Sequence, residues 1–431
     1  MRKFHWVMLI LIVGLILRLL YSASLDASAP YELGRGDSGW YLANGYALVT
    51  GLQPDAEIIT EVSTLTTPPL FLMFVGIQQA IFGQNETAII VIRILQAVMG
   101  ILTAYLGGKI AWIITHNERA EILATVALAL VPSFILESAQ ITSETLYMLC
   151  LTAGLWAYLR GIQTPRSWRW WVIAGIAFGL SALTRAVILA FPLALVVFTF
   201  IALKPRLAWK PALAFFVVYA LTIGTWTLYN YVWNGRFVLA GDGLAFIYIG
   251  AAGWDNPETV DQNLAATLQE ANPDQETPTE NFTDDDFLEA ARITISSDPM
   301  AYIQRRVREW LGALIQPHGT VLFPGESLRD LAVGWMQSDR SISGLISLTQ
   351  HDFFWPKLAL YGCHFGALVL GIVGMWRTRR QWRITLPIIG FIAYIFVIHL
   401  ILLALPRYFF PTFLGWWIFA TCALVKNTSP R

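Results

Sequence analysis

Four ionisable side chains stand where an otherwise apolar sequence has little use for them. Asp37 follows the first apolar run, inside YELGRGDSGWYLANGYALVTG (31–51). Glu144 opens the run SETLYML (143–149), Arg185 interrupts GLSALTRAV (179–187), and Arg407 precedes Tyr408 in PRYFFP (406–411). Ionisable groups in spans are costly and rarely face lipid. Singly, each has a plain reading: a first-turn carboxylate favoured by its helix dipole for Glu144, snorkelling to headgroups for Arg185 and Arg407. Arg18 and Arg93 fit snorkelling or interhelical pairing better. Together the first four are two carboxylates and two guanidiniums at one depth. A guanidinium binds phosphate bidentately, and a carboxylate can take the proton of an attacking hydroxyl. That combination suits transfer from a phosphate-linked donor.

Other motifs carry less. Gly34, Gly36 and Gly39 match GxGxxG, but the dinucleotide reading needs a βαβ unit and these follow an apolar span. Arg35-Gly36-Asp37-Ser38 spells an adhesion tetrapeptide of little information content. The six histidines show no ligand spacing, and Cys150, Cys363 and Cys422 lie in apolar runs as packing residues. Three sequons, at Asn85, Asn281 and Asn427, are of a kind common by chance.

The elements that must position the four residues are membrane helices. Of 431 residues, 56% are hydrophobic and 13% charged, against about 25% charged in soluble domains. This excludes a soluble globular protein and a disordered chain. A formal net charge of zero argues against a nucleic-acid binder. A spanning helix needs about 20 apolar residues. Ten spans are expected, near 5–24, 87–113, 120–137, 142–160, 170–184, 186–203, 211–230, 354–376, 384–404 and 408–425. Basic residues mark cytoplasmic loops, and they cluster in every second connection, from Arg2 and Lys3 to Arg377, Arg379, Arg380 and Arg383. Both termini are therefore expected in the cytoplasm, whether the first span is retained, as its length favours, or cleaved as a signal. The alternate connections are acidic: 231–353 holds 18 acidic and 7 basic residues.

Pro69 to Phe82 is apolar but only 14 residues, about 21 Å as a helix against a ~30 Å hydrocarbon core. The expectation is an interfacial helix begun at Pro68-Pro69 and ended by Gly83. A short helix capped by Ser38 and ended by Gly51 should place Asp37 at its N-terminus, just outside the membrane. The segment 231–353 is expected to be a small α+β unit. Residues 236–239 and 245–249 alternate like strands, 255–283 are polar and acidic, and Thr283 caps a helix begun by Asp284, Asp285 and Asp286.

At these residues the chain resembles the GT-C glycosyltransferases, in the family 39-like branch with protein O-mannosyltransferases and the lipid A aminoarabinose transferase. The resemblance rests on the order of GDSGWYLANGYALVTG (36–51), TTPPLFLMFVGIQQAIFG (66–83), IRILQAVMGILTAYLGGKIA (92–111), SETLYML, GLSALTRAV and PRYFFP. It implies an all-α polytopic GT-C fold with interfacial helices in the first periplasmic loop. The expected division is a transmembrane core (1–230) with a catalytic outer loop (25–86), an extracytoplasmic segment (231–353) and C-terminal spans (354–431). The resemblance also implies that Asp37 is the catalytic carboxylate, with Ser38 where relatives often have a second acid. Glu144 matches a second acidic position, and Arg185, Arg407 and Tyr408 match donor-phosphate contacts.

The expected function is an inverting membrane glycosyltransferase. A polyprenyl-phosphate sugar would be the donor, and a hydroxyl of a glycan, lipid or protein outside the cytoplasm the acceptor. Glu144 would orient a substrate or help hold a divalent cation, the one cofactor left open, with no metal ligand assigned. The location is the plasma or inner membrane, with no nucleic-acid partner. The rivals are a flippase for lipid-linked sugars and a membrane receptor or scaffold. The flippase is disfavoured by the lack of internal repeats and midplane charges, and the scaffold leaves the four residues without a shared role.

Overall fold

The computed structural model describes residues 2–31, 37–52, 67–241, 245–253, 257–271 and 282–426. The described chain is helical, without a strand. The main helices of the first part are α1 (Arg2–Ala23), α4 (Glu86–Thr115), α5 and α6 (Glu118–Leu130, Pro132–Glu137), α7 (Glu144–Gln163), α8 (Trp168–Thr184), α9 (Phe191–Ala202) and α10 (Pro205–Asn234). Between α1 and α4 lie α2 (Asp37–Thr50) and α3 (Pro69–Phe82). The segment before the last spans holds α11 (Ala245–Ala252), α12 (Pro257–Ala271), α13 (Asp284–Ser297), α14 (Pro299–Ile315), α15 (Leu328–Ser338) and α16 (Ile342–Ser347). The chain ends with α17 (Phe354–Thr378), α18 (Trp382–Ile401), the short α19 (Pro406–Phe409) and α20 (Phe413–Leu424).

Among the described residues, four stretches are long and apolar enough to cross a membrane by length and composition alone: His5–Ala23, Glu86–Thr115, Pro205–Asn234 and Phe354–Ile401. The last contains two helices, α17 and α18, joined by a 3-10 turn at Arg379–Gln381. The protein is thus a multi-pass membrane protein. Each of the other expected spans also coincides with helix, but these helices are short, interrupted or less apolar. Their central faces form a buried core that includes Tyr158, Trp171, Phe178, Phe215, Phe391 and Phe419.

Breaks in these helices follow from sequence. Pro132 cannot donate to a helical ladder, so α5 ends at Leu130 and α6 begins anew. The carbonyls of Leu128 and Ala129 lie at this break. The buried Arg18 guanidinium of α1 reaches them at 3.1 and 2.5 Å. Arg93 similarly donates to the carbonyls of Leu25 and Asp26 at 3.2 and 3.0 Å. Of the two readings expected for these arginines, both take the interhelical one, with backbone as the partner. Asn85 and Asn117 cap α4 and α5 through side-chain oxygens.

Helix α3 spans Pro69 to Phe82, and Gly83 at φ +86° ends it. It packs on α2 at a contact so close that a Cβ on Gly76 would lie 2.0 Å from the Gly45 carbonyl oxygen. Only glycine allows such an approach of backbones. Gln79 donates to the Leu42 carbonyl at 2.7 Å and locks the register of the pair. Helices α2 and α3 are therefore locked together as one unit. Helix α2 begins at Asp37, two residues earlier than a Ser38 cap would give.

The α+β expectation for 231–353 is not met. Residues 245–252 form α11, and 236–240 are irregular. The alternation of Phe246, Tyr248 and Ile249 reflects burial of Tyr248 and Ile249 against neighbouring helices, not a pleat. A small core joins Tyr248 and Ala251 to Leu264, Leu268, Ala290 and Ala291. The Thr283 cap is present as a capping box with Asp286. Much of the polar stretch 255–283, namely 255–256 and 272–281, lies outside the described residues.

This segment is fastened to the membrane core by Arg306 of α14, which is 2% exposed. Its guanidinium donates to the carbonyls of Gly250 at 3.2 Å, His399 at 3.3 Å and Leu400 at 3.3 Å, and to that of Leu402. The last carbonyls of a helix have no partner within it. Arg306 thus caps the C-terminus of α18 from almost a hundred residues away. Trp310, one turn on, donates to the Phe396 carbonyl at 2.9 Å.

Candidate active site

The five residues singled out above converge at one end of the helical core. Asp37 is the first residue of α2, Glu144 the first of α7 and Arg185 the extended link after α8. Arg407 and Tyr408 lie in α19. Arg407 is not at the end of the ninth span, as expected. Helix α18 stops at Ile401, the chain runs extended to Leu405, and Pro406 starts the short turn that carries Arg407 toward α20.

Glu144 is the buried centre of this cluster, 2% exposed. It accepts a hydrogen bond from Arg185 Nη1 at 2.5 Å and lies 4.0 Å from Arg407 Nε. Arg407 Nη1 donates to the Asp37 carboxylate at the rim. Arg407 therefore bridges a buried acid and a half-exposed one. Its Nε is buried and has no hydrogen-bond partner among the described residues. Such a donor is costly to leave unpaired. Embedded between two carboxylates, the Arg407 guanidinium is held even more firmly protonated than usual, although burial opposes this.

The Tyr408 ring fills the space between the two cations. Arg185 Cζ lies 5.4 Å from its centroid and Arg407 Cζ 5.2 Å, within cation–π range. His399 stacks on Tyr408 at 5.0 Å and 19°. Its Nδ1 pairs with the Leu403 carbonyl at 2.8 Å. A cavity of about 310 Å³ opens beside this array, lined by Arg185, Arg407, Tyr408, His399, Tyr41 and Ser143, with apolar walls from Val187, Phe246 and Leu402.

Sequence reasoning missed several of these neighbours. Ser143 accepts from Arg185 Nη1 at 3.2 Å and lies 3.4 Å from the Tyr41 hydroxyl. Burial, helped by the nearby Glu144 carboxylate, pushes that hydroxyl up to about 12, so Tyr41 is a neutral hydrogen-bonding group. A second polar pair abuts the cluster. His318 Nε2 meets Glu137 Oε2 at 2.5 Å, Thr142 donates to the other Glu137 oxygen at 2.5 Å, and His318 stacks against Phe410 at 4.4 Å. No spacing signal links positions 137 and 318. Only the aromatic residues in GDSGWY hinted at Tyr41. Among the described residues, no group of three or more His, Cys, Asp or Glu side chains is placed to hold a metal ion. Of the GxGxxG glycines, Gly34 and Gly36 lie outside the described residues, and Gly39 is in the first turns of α2.

A family profile described as dolichyl-phosphate-mannose-protein mannosyltransferase matches residues 66–227. Among solved structures, the chain is similar to the oligosaccharyltransferase AglB from Archaeoglobus fulgidus in complex with an inhibitory peptide and a dolichol-phosphate. The TM-score is 0.51 at 13% identity, over 98% of this chain and 50% of that one. The same archaeal enzyme tethered to an acceptor peptide matches with a TM-score of 0.52, at 13% identity over 97% and 49%. The chain thus shares the fold of these archaeal structures. ArnT from Cupriavidus metallidurans, bound to undecaprenyl phosphate, aligns at 14% identity over 97% of this chain and 77% of that one, with a TM-score of 0.38. The chain spans about half the length of the archaeal structures it matches. No curated protein sequence matches it.

Proposed function

We propose that this protein is a glycosyltransferase that takes its sugar from a polyprenyl-phosphate donor and passes it to an acceptor hydroxyl on the extracytoplasmic side. The observation that carries this reading is the pair of guanidiniums, Arg185 and Arg407, flanking Tyr408 on one cavity while Arg407 also holds Asp37. The matched family description and the dolichol-phosphate in the AglB structure support a lipid-linked donor of this class.

In this reading the donor phosphate lies against Arg407 Nε and Arg185, with its tail in the bilayer and its sugar facing outward. The acceptor oxygen attacks the anomeric carbon from the Asp37 side. The bond from that carbon to the phosphate oxygen breaks, and the electron pair leaves with the phosphate. The two guanidiniums neutralise the charge that develops there. Asp37 takes the acceptor proton, and its contact with Arg407 holds the carboxylate at the rim of the cavity for that step. Direct displacement inverts the anomeric centre. A phosphate leaving group needs little protonation, so no general acid is required. Glu144 sets the spacing of the two arginines, and Tyr41 and Ser143 offer hydrogen bonds to the substrate.

The test is transfer from a panel of radiolabelled polyprenyl-phosphate sugars to host membrane extract by purified protein in nanodiscs, wild type beside Asp37→Asn. Loss of transfer with retained donor binding is the expected result. Unchanged transfer in the variant overturns the assignment of Asp37. Donor binding without turnover in both proteins favours the flippase reading instead.

A further inference from the structure

A second cavity lies at the opposite ends of the same helices. It has a volume of about 310 Å³ and is lined by His116, Gln163, Arg380, Arg383 and Trp382 over a floor of Ile113, Ile114 and Ile384. Gln163 is nineteen residues beyond Glu144 on α7, about 29 Å along a helix. Trp382 opens α18, whose other end carries His399. The cavity is therefore a membrane thickness away from the candidate active site.

Its chemistry is one-sided. Both arginines are exposed, and no carboxylate contributes to the lining. A neighbouring cavity of about 390 Å³ provides the contrast. There Lys109 and Arg160 share the walls with Glu118 and Glu121, and Lys109 is paired with Glu121 at 2.7 Å. Of these two, the cavity at Arg380 and Arg383 combines net positive walls with an apolar floor. Arg383 also lies over the Trp382 ring, 5.3 Å from its centroid, which fixes one cation at the depth where indole rings meet headgroups. The volume falls within the range of small-molecule pockets. Basic pockets between helix ends on the cytoplasmic side suit anionic lipid headgroups.

We infer that this cleft, formed by the α4–α5 turn, the end of α7 and the α17–α18 turn, binds the phosphate headgroup of an anionic phospholipid. One acyl chain lies along the isoleucine floor. The arginines do more here than set topology, because they wall a concave site with a greasy base. The inference does not depend on glycosyl transfer.

The experiment measures retention of phosphatidylglycerol by the full-length protein, using native mass spectrometry after exchange from mixed phosphatidylglycerol and phosphatidylcholine nanodiscs. Arg380→Gln with Arg383→Gln should weaken retention about 30-fold, from about 1 kcal/mol of attraction per cation near the surface. Gln163→Trp fills the cleft while leaving both charges, and it should lower retention as well. Phosphatidylcholine should not be retained, and millimolar inorganic phosphate should not compete. Equal retention by wild type and the double variant overturns the inference. So does loss in the double variant with full retention in Gln163→Trp, which would mean diffuse charge attraction. Competition by free phosphate would reduce the cleft to a plain anion site and overturns it too. Thermal melts in detergent confirm that the variants fold.

Discussion

Glu144 shows how much of the site is a balance of charges. It is the buried carboxylate between Arg185 and Arg407. Removing one partner of a buried ion pair leaves an uncompensated charge and typically costs about 3–5 kcal/mol. Glu144→Gln should therefore lower the detergent melting temperature and abolish transfer together. Asp37→Asn, at the half-exposed rim, should spare stability and lower transfer by about 10²–10⁴, the usual weight of a general base. Arg407→Lys keeps the charge but removes the planar fork and its Nε. It should raise the KM for donor by tenfold or more, as measured by initial rates over donor concentration. Tyr41 offers a pH signature. Its hydroxyl sits near 12 in the fold and near 10 in an unfolded chain. The neutral form is thus favoured on folding, and its contribution to stability is complete below pH 10 and lost as pH rises toward 12. Tyr41→Phe should flatten the fall in melting temperature over that window. The four ionised residues were legible because charge is conspicuous in apolar sequence. Ser143, His399 and the Glu137–His318 pair were not, because a serine or histidine near a helix end carries no such signal.

At the scale of elements, the α2–α3 hairpin is what aims Asp37. The sequence announced α3 by its length and its proline start, and that reading matches the helix observed over Pro69–Phe82. It did not reveal that Gly45 and Gly76 let the two backbones touch, since neither glycine lies in a turn. Gly76→Ala places a methyl group against the Gly45 carbonyl. The hairpin must splay, at a cost of about 1–3 kcal/mol, and carry Asp37 away from Arg407. The expected outcome is a lower melting temperature with a larger loss in kcat than in donor binding. The misread strands at 236–249 show the opposite limit. A short apolar run has no period of its own long enough to separate strand from helix, and packing against α12 and α13 decided it.

For the whole molecule, the distribution of basic loops predicts that the candidate site and the cationic cleft lie on opposite faces of the membrane. This arrangement is checkable by cysteine labelling in intact cells. A cysteine at Ser327, before α15, should react with an impermeant maleimide, and one at Ser167, before α8, should react only after lysis. The reverse pattern would invert the orientation. The expected spans that fall on His5–Ala23, Glu86–Thr115, Pro205–Asn234 and Phe354–Ile401 were readable from hydropathy because apolar length is a one-dimensional quantity. The α19 turn was hidden, because the break after α18 depends on Arg306 accepting the task of capping it.

The contact between Arg407 and Asp37 joins residues 370 positions apart. A ribosome adding about 5–20 residues per second takes roughly 20–75 s to make the second after the first. During that interval the early helices can already occupy the bilayer among abundant lipid phosphates, with half of a reactive centre exposed. Under the proposed function, a nascent protein that lacks Arg407 and Tyr408 would be without its second phosphate clamp, and the order of synthesis would act as a safety catch.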